Sequence, residues 1–179
     1  MDIGSNDPTY ISNTLFFDKC LGWSGVCYEM QEQFWAATRK LRSCTLVPWC
    51  VFGHAVNVTI SGNGSTARVK LAKPGAGAAT NRVSSCTVAG ESVRQSLAIP
   101  PGHPGHIDLI SIDIESSENS VMKCFPIEAL RVHAILIETN KHTLEDVDLW
   151  FHRHGYVNHE TFLNSNRFMT PKELEMIGS

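Results

Sequence analysis

Three apolar runs in this chain end in carboxylates. Gly25-Val26-Cys27-Tyr28 closes on Glu29, Ile107-Asp108-Leu109-Ile110-Ser111-Ile112 on Asp113 and Glu115, and Val132-His133-Ala134-Ile135-Leu136-Ile137 on Glu138. Each run has the length and composition of a buried strand. In open α/β sheets ligands sit outside the carboxyl ends of the strands, where the strand order reverses. The four acids are therefore expected to converge on one crevice, where a carboxylate can accept from a hydroxyl or take a proton. An acid at a strand end can also do no more than cap the next helix. Asp113 and Glu115 stand at i and i+2, on one side of the strand if it continues that far, and are the candidates for a general base.

The opening, Asp2-Ile3-Gly4-Ser5-Asn6, has the pattern of a strand running into a tight turn, with most of that strand expected upstream. A glycine at the first turn and an acid after the second strand suit a nucleoside-bearing cofactor, whose ribose hydroxyls want a carboxylate. A pyrophosphate needs Gly-x-Gly-x-x-Gly, whereas Gly4 is followed by Asn6 and Thr9 at the other two glycine positions. Asp7 would repel phosphate there. A cofactor without phosphate, S-adenosylmethionine (SAM), fits the single glycine. An NAD-dependent oxidoreductase is the weaker alternative, and a non-catalytic SAM-binding or scaffolding remnant is a third.

The elements that must hold these residues follow from hydrophobic spacing. A helix is expected from Leu15 to Leu21 with Gly22 as its stop, a second over 31–41, and a third strand over Leu46 to Phe52. Segments 55–60 and 67–71 alternate around Ser61-Gly62-Asn63-Gly64-Ser65, which is a hairpin signal. Segments 73–80 and 99–106 read as connections, Ser117 to Cys124 as a helix, and Thr143-Leu144-Glu145-Asp146 as a capped helix start that Gly155 ends. Two closing strands are expected around Asn164-Ser165-Asn166. The fold class is α/β: a doubly wound, mostly parallel sheet with an added hairpin, one domain over 1–170 and a tail over 171–179.

The chain has 179 residues, a net charge of -3 and scattered Lys and Arg, so there is no electrostatic reason to expect nucleic acid. No apolar run approaches the ~20 residues that span a bilayer. Six cysteines without a Cys-x-x-Cys pair read as buried free thiols in a reducing, cytoplasmic setting, with no zinc or other metal expected. Asn57-Val58-Thr59 and Asn63-Gly64-Ser65 match the glycosylation acceptor pattern, which has no meaning without secretion. His54, His103 and His106 are alternative bases in loops, and Tyr10 and Trp23 are candidate lining aromatics.

These blocks resemble the FkbM-type SAM-dependent methyltransferases. The family's first motif is similar to Asp2-Ile3-Gly4-Ser5-Asn6 with Ser12-Asn13-Thr14, and its second to Gly22-Trp23-Ser24-Gly25-Val26-Cys27-Tyr28-Glu29. Its later blocks resemble Ile107 to Glu115 and Leu136-Ile137-Glu138, so the likeness runs from Asp2 to about Phe168. The chain departs from the pattern at Pro8 and at Ser116-Ser117. The resemblance implies O-methyl transfer to a small molecule or glycan. It implies that Gly4 lets the cofactor's methionine part approach and that Asp2, Ser5 and Asn6 position it. It further implies that Glu29 binds the ribose, and Val51 and Phe52 are the candidate walls for adenine.

Overall fold

The computed structural model describes the chain except for residues 73–82, 99–104, 116, 140–143, 163–165 and 173–179. Among the described residues the strands form one seven-stranded and one four-stranded sheet. The chain opens with β1 (Asp2–Ile3), α1 (Leu15–Lys19), β2 (Val26–Tyr28), α2 (Glu32–Leu41) and β3 (Thr45–Val47). It continues through β4 (Cys50–Phe52), β5 (Val56–Ser61), β6 (Arg68–Leu71), β7 (Val83–Val88) and α3 (Ala89–Ser96). It closes with β8 (Gly105–Ile112), α4 (Glu118–Met122), β9 (Leu130–Glu138), α5 (Leu144–Arg153), β10 (Tyr156–Phe162) and β11 (Asn166–Pro171).

The larger sheet runs β10-β11-β9-β8-β1-β2-β3. From β3 to β9 all pairings are parallel, and β11 and β10 add antiparallel edges. The order reverses between β1 and β8: the chain first builds outward through β2 and β3, then returns to the other side of β1. Ile3, Ile110, Ile112, Ile135 and Ile137 are fully buried across this centre. At ~1.5–3 kcal/mol for each fully buried aliphatic side chain, they hold the strand ends that carry Gly4, Asp113 and Glu138. β1 is paired on both edges, Asp2 with Cys27 and Ser111, and Ile3 with Tyr28 and Ile112.

Two expectations need correction. The strand expected over Leu46 to Phe52 is broken at Pro48-Trp49 into β3 and β4, which belong to different sheets. Proline cannot donate to a ladder, so it is a natural place for a strand to leave its sheet. β4 joins β7, β5 and β6, and the alternating segments β5 and β6 pair antiparallel as expected. The second correction concerns the cysteines. Cys27 and Cys44 form a disulfide and Cys50 is also disulfide-bonded, while Cys20 and Cys124 are free. Parallel pairing of β2 with β3 brings the Cys27 and Cys44 Cα atoms to 5.8 Å, a distance a disulfide spans. A spacing of 17 residues carries no signal for that pairing.

The closing strands pair antiparallel, and Gly155 turns the chain after α5 with φ +82°. The expected turn at 164–165, the cap at Thr143, the connections at 73–80 and most of 99–106, and most of the tail lie outside the described residues. No helix among the described residues is long and apolar enough to cross a membrane.

Candidate functional site

A crevice of about 800 Å3, counted to its open mouth, lies at the carboxyl ends of β1, β2 and β8, where the strand order reverses. The first turn forms its floor. Gly4 has φ +85°, and a Cβ there would overlap the Asp113 backbone carbonyl oxygen. The glycine is thus required by the neighbouring strand end itself, apart from any ligand. Asn6, with φ +51°, completes the turn.

Glu29 ties the turn to β2. One carboxylate oxygen accepts from the Asn6 backbone N–H at 2.6 Å and the other from the Gln31 backbone N–H at 2.6 Å. The Met30 N–H also acts on the carboxylate, which with four acceptor positions keeps capacity for a further donor. Burial raises the Glu29 pKa to about 7 against the pull of those N–H groups, and the nearby Asp2 adds to the rise. The Ser5 Oγ and Asn6 Oδ1 atoms are buried without a hydrogen-bond partner. Buried polar atoms are nearly always satisfied, so two such atoms on one turn are available to a polar partner.

The second set of groups stands at the ends of β8 and β9. β8 stops at Ile112, so the i, i+2 argument for Asp113 and Glu115 does not apply as framed. The turn that follows, with Glu115 at φ +55°, brings them together all the same. Carboxylate oxygens of Asp113, Glu115 and Glu138 lie within 4.8 Å of one another. Burial first, then repulsion from and hydrogen bonding with Glu138, then the charges of Glu115 and Glu118, push Asp113 up to about 8. Burial and Glu138 raise Glu115 too, with Arg68 opposing. Glu118 accepts from the Ile114 N–H at 3.2 Å and ties this turn to the start of α4. The three oxygens are hard donors of the kind that could hold a divalent cation.

Of the residues singled out from the sequence, Asp2, Gly4, Ser5, Asn6, Glu29, Val51, Asp113 and Glu115 all line the crevice. Phe52 does not; it packs beside Cys50 and Val58 and meets the His54 ring. Asp2, though lining, is engaged by the Thr14 hydroxyl at 2.6 Å, and burial raises its pKa. Asp7 is exposed to one side, where it accepts from the Thr9 and Tyr10 N–H groups. Tyr10, Trp23 and His54 line none of the crevice, and His103 lies outside the described residues. His106 sits at the far end of β8 against His133 and Asp108.

Other lining residues were not among the site candidates of the sequence. Gly64 and Ser65 come from the β5–β6 connection, which is held against the crevice by Gln31: its amide donates to the Gly64 carbonyl and accepts from the Gly64 N–H. Trp49 arrives at the crevice through the break after Pro48, and Asn13 reaches the Ser111 hydroxyl at 3.2 Å.

A parallel-centred sheet with a polar crevice at its reversal point defines the class as an α/β domain, with the crevice where such folds place their ligands. Comparison with known families is more specific: the profile described as Methyltransferase FkbM domain matches residues 2–157. That is most of the chain, and the chain belongs to this family, a methyltransferase family. Comparisons with curated proteins and with solved structures give no match.

Proposed function

We propose that this protein is a SAM-dependent methyltransferase of the doubly wound, Rossmann-like kind, acting on a hydroxyl of a small molecule or glycan. The observation that carries the reading is the Glu29 carboxylate, fixed by two backbone N–H groups at the crevice with acceptor capacity left for a ribose hydroxyl. SAM supplies a methyl group on a sulfonium cation. The orphaned Ser5 and Asn6 oxygens suit the ammonium and carboxylate of an amino acid, and Val51 offers an apolar wall. The carboxylates of Asp113, Glu115 and Glu138 favour a cation nearby, which supports a sulfonium over a pyrophosphate.

Methyl transfer depends chiefly on holding donor and acceptor in line, and a rigid floor at Gly4 serves that end. A hydroxyl acceptor must also lose its proton. Asp113 and Glu115 stand by to take it, and the raised pKa of Asp113 makes it the stronger base once ionised. The deciding experiment is a calorimetric titration of the purified protein with SAM and, separately, with NAD. The proposal expects saturable SAM binding and none for NAD; NAD binding without SAM binding overturns it.

A further inference from the structure

Two asparagines outside the crevice lining, each opening an acceptor triplet, meet a covalent feature that the sequence did not reveal. Asn57-Val58-Thr59 and Asn63-Gly64-Ser65 are the two Asn-x-Ser/Thr triplets of the chain. Both fall on one hairpin, Asn57 on β5 and Asn63 just beyond it, and both asparagines are exposed. The pleat explains Asn57: its neighbour Val58 is fully buried, so alternation turns Asn57 to solvent. Asn63 precedes a single turn of 3-10 helix in extended conformation. Neither asparagine needs to leave the core to carry a large polar group.

An acceptor triplet matters only in a chain that enters a compartment where glycan is transferred. The cysteines bear on that independently. Cys27, Cys44 and Cys50 are oxidised, and structural disulfides persist in oxidising compartments and are rare where thiols are kept reduced. Cys27–Cys44 joins β2 to the segment entering β3, inside the sheet that bears Glu29, so it belongs to the fold and not to a surface accident. The Cys27–Cys44 bridge and the exposed triplets involve different residues on different sheets, and both fit a lumenal or extracellular setting.

We propose that this chain matures in an oxidising, secretory-type compartment and carries N-linked glycan on the β5–β6 hairpin, at Asn57 and Asn63. In the transfer, the asparagine amide nitrogen displaces the pyrophosphate of a lipid-linked oligosaccharide. The N–C1 bond forms, the C1–O bond to pyrophosphate breaks, and the amide nitrogen gives up one proton. In the oxidation, two thiols pass two electrons and two protons to an oxidised dithiol oxidoreductase by disulfide exchange. Both replace the reducing, cytoplasmic setting expected from cysteine spacing. The proposal does not rest on methyl transfer.

The test is peptide mapping of the native protein from its source cells, with free thiols blocked before any reductant is added. An amidase that removes N-glycans is then applied in oxygen-18 water. The expected result is conversion of Asn57 and Asn63 to Asp with the heavy oxygen, and a peptide pair joined through Cys27 and Cys44. In the same cells Asn57→Gln and Asn63→Gln should each abolish one step of the gel shift that deglycosylation produces. Unmodified peptides at both asparagines, or Cys27 and Cys44 blocked without reduction, overturn the proposal.

Discussion

Two groups of acids, one buried around Asp18 and one half-buried around Asp113, are treated in opposite ways. Asp18, at α1, meets Arg42 at 2.5 Å and accepts from the Ser43 N–H and hydroxyl. Arg42 also donates to Thr14, which holds Asp2. Burial pushes the Asp18 pKa up, yet the bonds from Arg42 and Ser43 outweigh it and hold the carboxyl below its usual range. Among the described residues Asp113, Glu115 and Glu138 make no ion pair, Arg68 acting on Glu115 only from a distance, and Asp113 is driven up to about 8. Partial burial alone does not distinguish the two groups. A built-in cation marks the first as structural, and the want of one marks the second as awaiting a ligand or a proton.

The largest effect should come from breaking the satisfied group. Arg42→Met leaves the buried Asp18 with only the exposed Lys19 ammonium, at 3.7 Å, as counter-charge and should cost up to about 3–5 kcal/mol in a urea melt. Replacing Asp18 by Leu in the same chain should restore much of that loss, and a double variant as unstable as the single one would show that the pair is incidental. Gly4→Ala should come next, at about 1–3 kcal/mol or more, because the turn is left-handed and the Cβ meets the Asp113 carbonyl. A fully stable Gly4→Ala variant would mean that β1 and β8 are not in this register.

Asp113→Asn sharpens the comparison through pH. A carboxyl with a raised folded pKa favours its protonated form in the native state, so its contribution is full below the unfolded value near ~4. That contribution is lost as pH rises through about 7 for Glu29 and about 8 for Asp113. The ligand-free protein should therefore melt at progressively lower temperature from pH 5 to pH 9, and Asp113→Asn should flatten the upper part of that decline. Asp18 has the opposite sign: its depressed pKa contributes stability above the unfolded value and loses it as pH falls through the acid range. With an acceptor in hand, kcat/KM should rise through a limb near pH 8 that Asp113→Asn removes.

The unsatisfied group was the legible one. Acids after apolar runs, and a glycine turn before a Ser-Asn-Thr helix start, are local patterns, and sheet topology then brings Glu29, Asp113 and Gly4 together. The satisfied group was not legible, since Asp18 and Arg42 lie 24 residues apart and nothing in their spacing says that they meet. The same holds for Cys27 with Cys44, which depends on the pairing of β2 with β3, and for the approach of Gly64 to Gln31, which depends on how β3 and β4 part at Pro48. Phe52 was placed on the crevice by continuing one strand through that break. Gly4 was found for a reason only partly its own, because the carbonyl of Asp113 needs the space a cofactor was expected to use.

The central claim is that the open acceptor capacity of Glu29 serves a ribose. Calorimetric titration of SAM into the wild type and into Glu29→Ala, each checked for an intact fold by its melt, tests it most directly. The account predicts that affinity falls by about 1.5–3 kcal/mol, as for a lost hydrogen bond to a charged group, while the melt stays cooperative. Equal SAM affinity in a folded Glu29→Ala variant would contradict it.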